Sequence, residues 1–246
     1  MAVPLKGDAR PSHRVAAERR PAEGRLRLIT AAEELMATRG LDVANRVIVA
    51  AAGQRNQSAI IYHFRSRAGL IDAIRERHET PIAQHRHHLI ARLPGVAART
   101  TRHLVEAYIQ PVTAEMLRCT PSHWARFSEM LLLDQPLLLD QPLWLTSDAG
   151  LPVPAESGQA GALARSGLPN LMAARLTHLT EREAAHRVAL AIRFLVSSLA
   201  RWERDSQCDS DLVGPLAPFA LTLTDLAVAM LEAPSSAPPT GRPIPG

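Results

Sequence analysis

The sequence predicts an all-α protein in two parts, a small N-terminal group of helices and a larger helical body after it. Three observations predict this. Apolar residues recur at helical spacing along much of the chain; Thr180 with Glu183 three residues on is a capping-box pattern opening a long apolar stripe; and no run of alternating β-branched residues bounded by turns occurs. A length of 246 residues suits one compact body with a small satellite, and 46 % hydrophobic with 21 % charged residues is the composition of a folding globular chain.

Residues 1–24 are rich in Arg, Pro and Ala without a hydrophobic period, and are expected to form a disordered basic arm. The pattern changes at Arg25. Leu28, Ile29, Ala32, Leu35 and Met36 share one helical face, predicting a helix over 25–39 that Gly40 ends in a left-handed C-cap. A short helix over 45–52 ends at Gly53, and a third spans 57–64, with Asn56 or Gln57 ahead of it. Ser66 is placed to cap a fourth helix whose face carries Leu70, Ile71 and Ile74. Pro81 is expected to kink or split that helix before it runs on to Leu93.

Further on, 96–117 reads as a helix with Leu104, Val105, Tyr108 and Ile109 inward and a bend near Pro111, and Pro121 with Ser122 starts another through Leu132. Residues 131–142 are a tandem copy of LLLDQP, too short a unit for a solenoid and read as a duplication in a tolerant loop. Residues 146–169, rich in Gly, Pro and Ser, are expected to be a mobile loop. Helices over 180–204 and 215–232 follow, then a Pro-rich tail over 233–246 expected to be disordered.

Charge separates the two parts. Residues 1–92 hold 16 Lys and Arg against nine Asp and Glu, a net of +7, so the remainder carries −3 of the total +4. Between Asp42 and Asp72 there is no acidic residue, while Arg46, Arg55, Arg65 and Arg67 all fall there, a pattern that suits a polyanion. Two cysteines in unrelated contexts, Cys119 and Cys208, exclude a disulfide framework and a Cys-x-x-Cys site. No apolar run reaches about 18 residues and the basic N-terminus lacks a signal-peptide core, so a cytoplasmic location away from membranes is expected.

Three short helices in the first 65 residues, the last two joined by a Gly-containing turn, have the order of a helix-turn-helix. The stretches RLRLITAAEELMATRG at 25–40, IVAAAG at 48–53 and IYHFRSRAGL at 61–70 resemble the DNA-binding domain of the TetR family of transcriptional regulators. The resemblance covers about residues 25–75. It implies a DNA-binding helix-turn-helix domain over 25–75 and a regulatory and dimerisation domain over 76–232. The chain departs from the common family pattern in four places. It has one more residue between Gly53 and Phe64, Ala44 where a Thr or Ser often caps the second helix, Ile61 where Tyr is frequent, and Gly69 in place of an acidic residue. Asp42 or Asn45 is left to cap the second helix.

A recognition helix presents its N-terminal side chains to base edges in the major groove. Gln57 and Ser58 can donate and accept there, Ile61 can touch a thymine methyl, and Tyr62 and His63 can reach bases or phosphates, with Arg55 and Asn56 in the turn before them. The resemblance implies a guanine or phosphate contact for Arg46 and a phosphate contact for Arg67. Phe64 is expected in the core. Each of these residues alone also fits a solvated surface.

The resemblance further implies a homodimer closed by the last two helices, where Val188, Ile192, Leu195, Val196, Leu199 and Trp202 form one stripe and Leu221, Leu223, Leu226, Ala227, Met230 and Leu231 another. It also implies a small-molecule effector. Tyr108, Met116, Trp124, Phe127 and Met130 are candidates to line its cavity, although core packing accounts for each as well. His78, His85 and His88 lie near one helical face but have no Cys or Asp beside them in sequence. They are read as solvated surface and no metal site is assigned. No cofactor is expected, and no Gly-x-Ser-x-Gly turn, Gly-rich phosphate loop or His-Glu-x-x-His argues for catalysis. The expectation is a repressor that binds a palindromic duplex DNA site. The alternative is a helical ligand-binding or interaction protein with a degenerate helix-turn-helix.

Overall fold

The computed structural model describes residues 12–93, 95, 98–134, 167–209 and 213–235, with side chains from residue 22 onward. All regular structure among them is helical: α1 (Ser12–Arg39), α2 (Asn45–Ala51), α3 (Ala59–Phe64), α4 (Arg67–Arg92), α5 (Thr101–Arg118), α6 (Trp124–Asp134), α7 (Leu168–Arg175), α8 (Glu181–Cys208) and α9 (Leu216–Glu232). The chain divides into two compact units, 1–77 and 78–246, with the division inside α4.

In the first unit, α1 packs on α2 and α2 on α3. Leu28, Ala32 and Met36 of α1, Ile48 and Val49 of α2, Ile60 and Phe64 of α3, and Leu70 and Ile74 of α4 are buried. The helix ends follow their sequence signals. Gly40 takes φ +90° and its N–H bonds the Met36 carbonyl at 3.0 Å. Gly53, at φ +65°, closes α2 in a Schellman arrangement, its own N–H on the Ala50 carbonyl and that of Gln54 on the Val49 carbonyl, both at 3.0 Å. The helix reaches back to Ser12, so residues 12–24, expected in a disordered arm, are helical; residues 1–11 lie outside the described residues. Gly24 lies close to the turn after α2, where a Cβ on it would stand 3.0 Å from the Gln54 side-chain amide nitrogen.

In the second unit, α8 is the central helix, contacted by α6, α7 and α9, while α5 packs on α7 and α9. Leu104, Val105 and Ile109 of α5 join Val188, Ile192, Leu195 and Leu199 of α8 and Leu223, Ala227 and Leu231 of α9 in one apolar core. Thr180 and Glu183 form the anticipated capping box at the start of α8. Thr100 and His103 form a second one at α5, which therefore starts at Thr101 and not at residue 96. Neither Pro81 nor Pro111 interrupts its helix; of the kink or split expected at Pro81, the split does not occur. Leu168–Arg175 is helical, so the expected loop over 146–169 ends earlier; residues 146–166, 135–142 of the tandem copy and 236–246 of the tail lie outside the described residues. None of the described helices is long and apolar enough to cross a membrane.

Candidate nucleic-acid interface

The first unit presents α3 with one face inward and one outward. Ala59, Ile60 and Phe64 are buried, while Ile61 and Tyr62 are exposed; the helix expected over 57–64 starts at Ala59, so Gln57 and Ser58 stand exposed in the turn that leads into it and Arg65 is exposed as its C-cap residue. Ile61 is 58 % and Tyr62 75 % exposed, a large apolar and aromatic surface left to solvent in a unit that small. The exposure shows that these two side chains contribute little to the chain's own core. Neither Asn56 nor Gln57 caps α3 in the usual way. Instead the Asn56 side-chain oxygen accepts the Ser58 N–H at 2.9 Å and its carbonyl accepts the Ala59 N–H at 3.0 Å, an Asx turn that leads into the helix. This turn takes up the longer connection after Gly53.

Around that surface Arg46, on the first turn of α2, and Arg55, in the connection, are exposed, and among the described residues neither is paired with a carboxylate. His63 is half-buried, its ring edge-on to Tyr62 at 4.8 Å. Partial burial and then the nearby Arg25 charge hold its imidazole below the usual histidine value, so it is neutral at pH 7 and offers one donor and one acceptor.

Arg67 stands differently from its expected role. Its guanidinium bonds the Asn45 side-chain oxygen at 2.6 Å and the Leu41 carbonyl, tying the start of α4 to the entry of α2. Asn45 therefore answers Arg67 and does not cap α2; Ala44 is the N-cap residue, without a side-chain cap bond. Arg67 is first an internal strut. Ser66 caps α4 as anticipated, its hydroxyl accepting the Gly69 N–H at 3.0 Å. The corner before it is tight, because Arg65 takes φ +68°, a conformation uncommon outside glycine, and the Phe64 carbonyl lies where a Cβ on Gly69 would be, 2.1 Å away. Gly69 is a functional-looking departure in the sequence with a steric cause.

The expected effector-lining residues are buried. Tyr108 and Met116 belong to the apolar core, Trp124 and Phe127 are buried with ring centroids 6.1 Å apart, and Met130 is half-buried. Burial raises the Tyr108 hydroxyl far above its ordinary value, and the Arg86 guanidinium lies 5.5 Å from its ring centroid. Of the residues expected at a dimer interface, Val188, Ile192, Leu195, Leu199 and Leu223 are at most 2 % exposed in the single chain and belong to its own core. Trp202 and Met230 pack partly buried against that core, and of the expected set only Leu226 and Leu221 are exposed; Leu190 of α8 joins them.

Two buried polar clusters escaped the sequence reading. Glu203 of α8 lies at the N-terminus of α6, where its carboxylate accepts the Ser122 hydroxyl at 2.6 Å, the Ala125 and Arg126 N–H groups at 3.2 and 3.0 Å, and Arg126 Nε at 3.3 Å. It is a helix cap supplied from 77 residues away along the chain. The other joins His78, which is fully buried and not solvated surface, to Glu115, with Nδ1 and Oε1 2.7 Å apart. Arg118 donates to both Glu115 oxygens and Trp124 stacks on the His78 ring at 4.6 Å. Burial pushes the Glu115 carboxyl up, but the Arg118 and His78 bonds and charges outweigh it and hold the group below the ordinary carboxylate value. Both clusters pair residues distant in sequence, and no local spacing signals them.

No known protein family matches the chain, and no curated protein matches it.

Proposed function

We propose that the chain is a sequence-specific DNA-binding transcriptional regulator of the TetR type, a repressor that binds a pseudo-palindromic duplex as a homodimer and leaves it when a small molecule binds the second unit. The observation that carries this reading is the exposed surface of Ile61 and Tyr62 on α3 with Gln57 and Ser58 in the turn that leads into it, flanked by exposed Arg46, Arg55 and Arg65 in a stretch with no acidic residue. Amide and hydroxyl groups read donor and acceptor patterns, the isoleucine suits a thymine methyl, and the arginines suit the backbone. The three sequence signatures in family order support the same reading.

Two leucines of α9, Leu221 and Leu226, and Leu190 of the adjacent α8 supply the apolar part of the proposed dimer surface. An effector acts here only through tighter binding to the state that does not hold DNA.

Paired substitutions measured by DNA binding across salt concentrations test the reading. Arg46→Ala weakens binding to all sequences alike and lowers the salt slope by about one, as a lost phosphate contact does. Gln57→Ala changes which duplex is preferred, at a cost of about 1–3 kcal/mol on the original site. Arg67→Ala is a poor probe, because it also removes the bonds to Asn45 and Leu41. Identical effects of Arg46→Ala and Gln57→Ala on preference contradict the assignment of α3 as the reading helix.

A further inference from the structure

We propose that His78, Glu115 and Cys119 form a binding site for a late first-row divalent metal ion, zinc in chemical class, in the second unit. The three side chains each offer one ligand atom, and these atoms all lie within 4.8 Å of one another. His78 comes from α4, while Glu115 lies in the last turn of α5 and Cys119, four residues on, is the extended C-cap residue of that helix, its N–H on the Glu115 carbonyl. Their closest approaches are 2.7 Å from His78 Nδ1 to Glu115 Oε1 and 3.7 Å from Cys119 Sγ to the same oxygen. Ligand atoms around a tetrahedral ion about 2.0–2.3 Å away stand somewhat over 3 Å apart, so the site forms when the His78–Glu115 contact opens by under about 1 Å and the Cys119 sulfur, within 4.8 Å of the imidazole nitrogen, turns in towards it.

The donor set selects the ion. An imidazole nitrogen and a thiolate sulfur disfavour magnesium and calcium, which take oxygen ligands, and favour zinc and its neighbours. Binding expels the Cys119 thiol proton to solvent and needs the His78 Nδ1 lone pair free of hydrogen, so the ligands are a thiolate, a neutral imidazole and a carboxylate. Supporting groups of the kind that orient metal ligands are already in place. Trp124 stacks on the imidazole with an interplanar angle of 23°, and Arg118 Nε holds Glu115 Oε2 at 2.7 Å; Arg118 Nη2 also bonds Oε1 at 2.5 Å, and that bond gives way when the ion takes the oxygen. Three protein ligands leave a fourth position for water or an exogenous donor. His85 and His88, the neighbours suggested by sequence spacing, are not part of this group.

The site does not depend on the DNA-binding reading, and its test involves no DNA. The full chain, treated with chelator and kept reduced, is titrated with Co²⁺ and followed by absorbance, and Zn²⁺ is then added in competition. The expected result is one equivalent bound, with a thiolate-to-cobalt charge-transfer band and the strong visible bands of a four-coordinate ion, both bleached by Zn²⁺. Cys119→Ser abolishes the charge-transfer band and Cys208→Ser leaves it unchanged. His78→Gln and Glu115→Gln, in samples whose circular dichroism stays helical, each weaken Co²⁺ binding by at least about tenfold, the scale on which even supporting residues of metal sites act. Absence of a charge-transfer band in the wild type overturns the proposal, and so does a band that survives Cys119→Ser.

Discussion

Gly69 shows how one residue fixes the geometry on which the proposed DNA contact depends. A Cβ there would stand 2.1 Å from the Phe64 carbonyl, a backbone atom that cannot swing aside, so Gly69→Ala forces the end of α3 away from the first turn of α4. The expected cost is at least the 1–3 kcal/mol typical of overpacking, read as a lowered denaturant midpoint at unchanged m-value. An unchanged midpoint contradicts the close approach. His63 supplies a second test at this scale. Its pKa in the folded chain lies below the unfolded value of 6.5, so the neutral form is the one that the fold favours. That contribution to stability is complete above pH 6.5 and is lost as the pH falls through the folded value. Unfolding followed from pH 7.5 to 5 therefore shows a loss in the wild type that is smaller in His63→Gln; equal losses place the titration elsewhere.

At the scale of helices, what the sequence made legible was whatever is signalled locally. The spacing of Leu28, Ile29, Leu35 and Met36, the left-handed Gly40 and Gly53, and the Thr180–Glu183 box mark helix faces and ends within one or two turns, and the helices stand there. The outward face of α3 was legible for the same reason. What was missed is set by distant partners. Residues 12–24 carry no hydrophobic period, yet Gly24 lies against Gln54 and His63. Pro81 argues locally for a kink or a break, yet α4 runs through it as one helix. Glu203 at the head of α6 and His78 beside Glu115 join positions that no periodicity links. The α8 stripe was recognised as apolar, but a stripe does not say which chain covers it. Burial decides that. Leu195→Glu and Leu199→Glu place charges in the core and are expected to cost several kcal/mol and unfold the second unit, whereas Leu221→Glu with Leu226→Glu leaves melting nearly unchanged and yields monomers in sedimentation. A dimer that survives the α9 double variant removes that face from the interface.

For the molecule as a whole, the two units divide the proposed work. The first holds the net positive charge and the outward α3 face; the second holds the large apolar core, the exposed leucines of α8 and α9 and the His78–Glu115–Cys119 group. A reading helix of six residues with its flanks contacts a few base pairs only, so useful selectivity requires two such helices on one duplex. Linking them makes the second contact intramolecular, and monomers produced by the α9 double variant accordingly lose affinity for the paired site far more than for a single half-site. The central claim is that α3 reads DNA sequence from within a two-fold dimer. Selection of bound duplexes from a random pool by the full-length chain tests it most directly. The expected result is enrichment of an inverted repeat whose half-site centres lie about 10 base pairs, or a multiple of that, apart, with the preferred bases changed by Gln57→Ala. Recovery of an unenriched pool, or of the same sequences with Gln57→Ala, would contradict it.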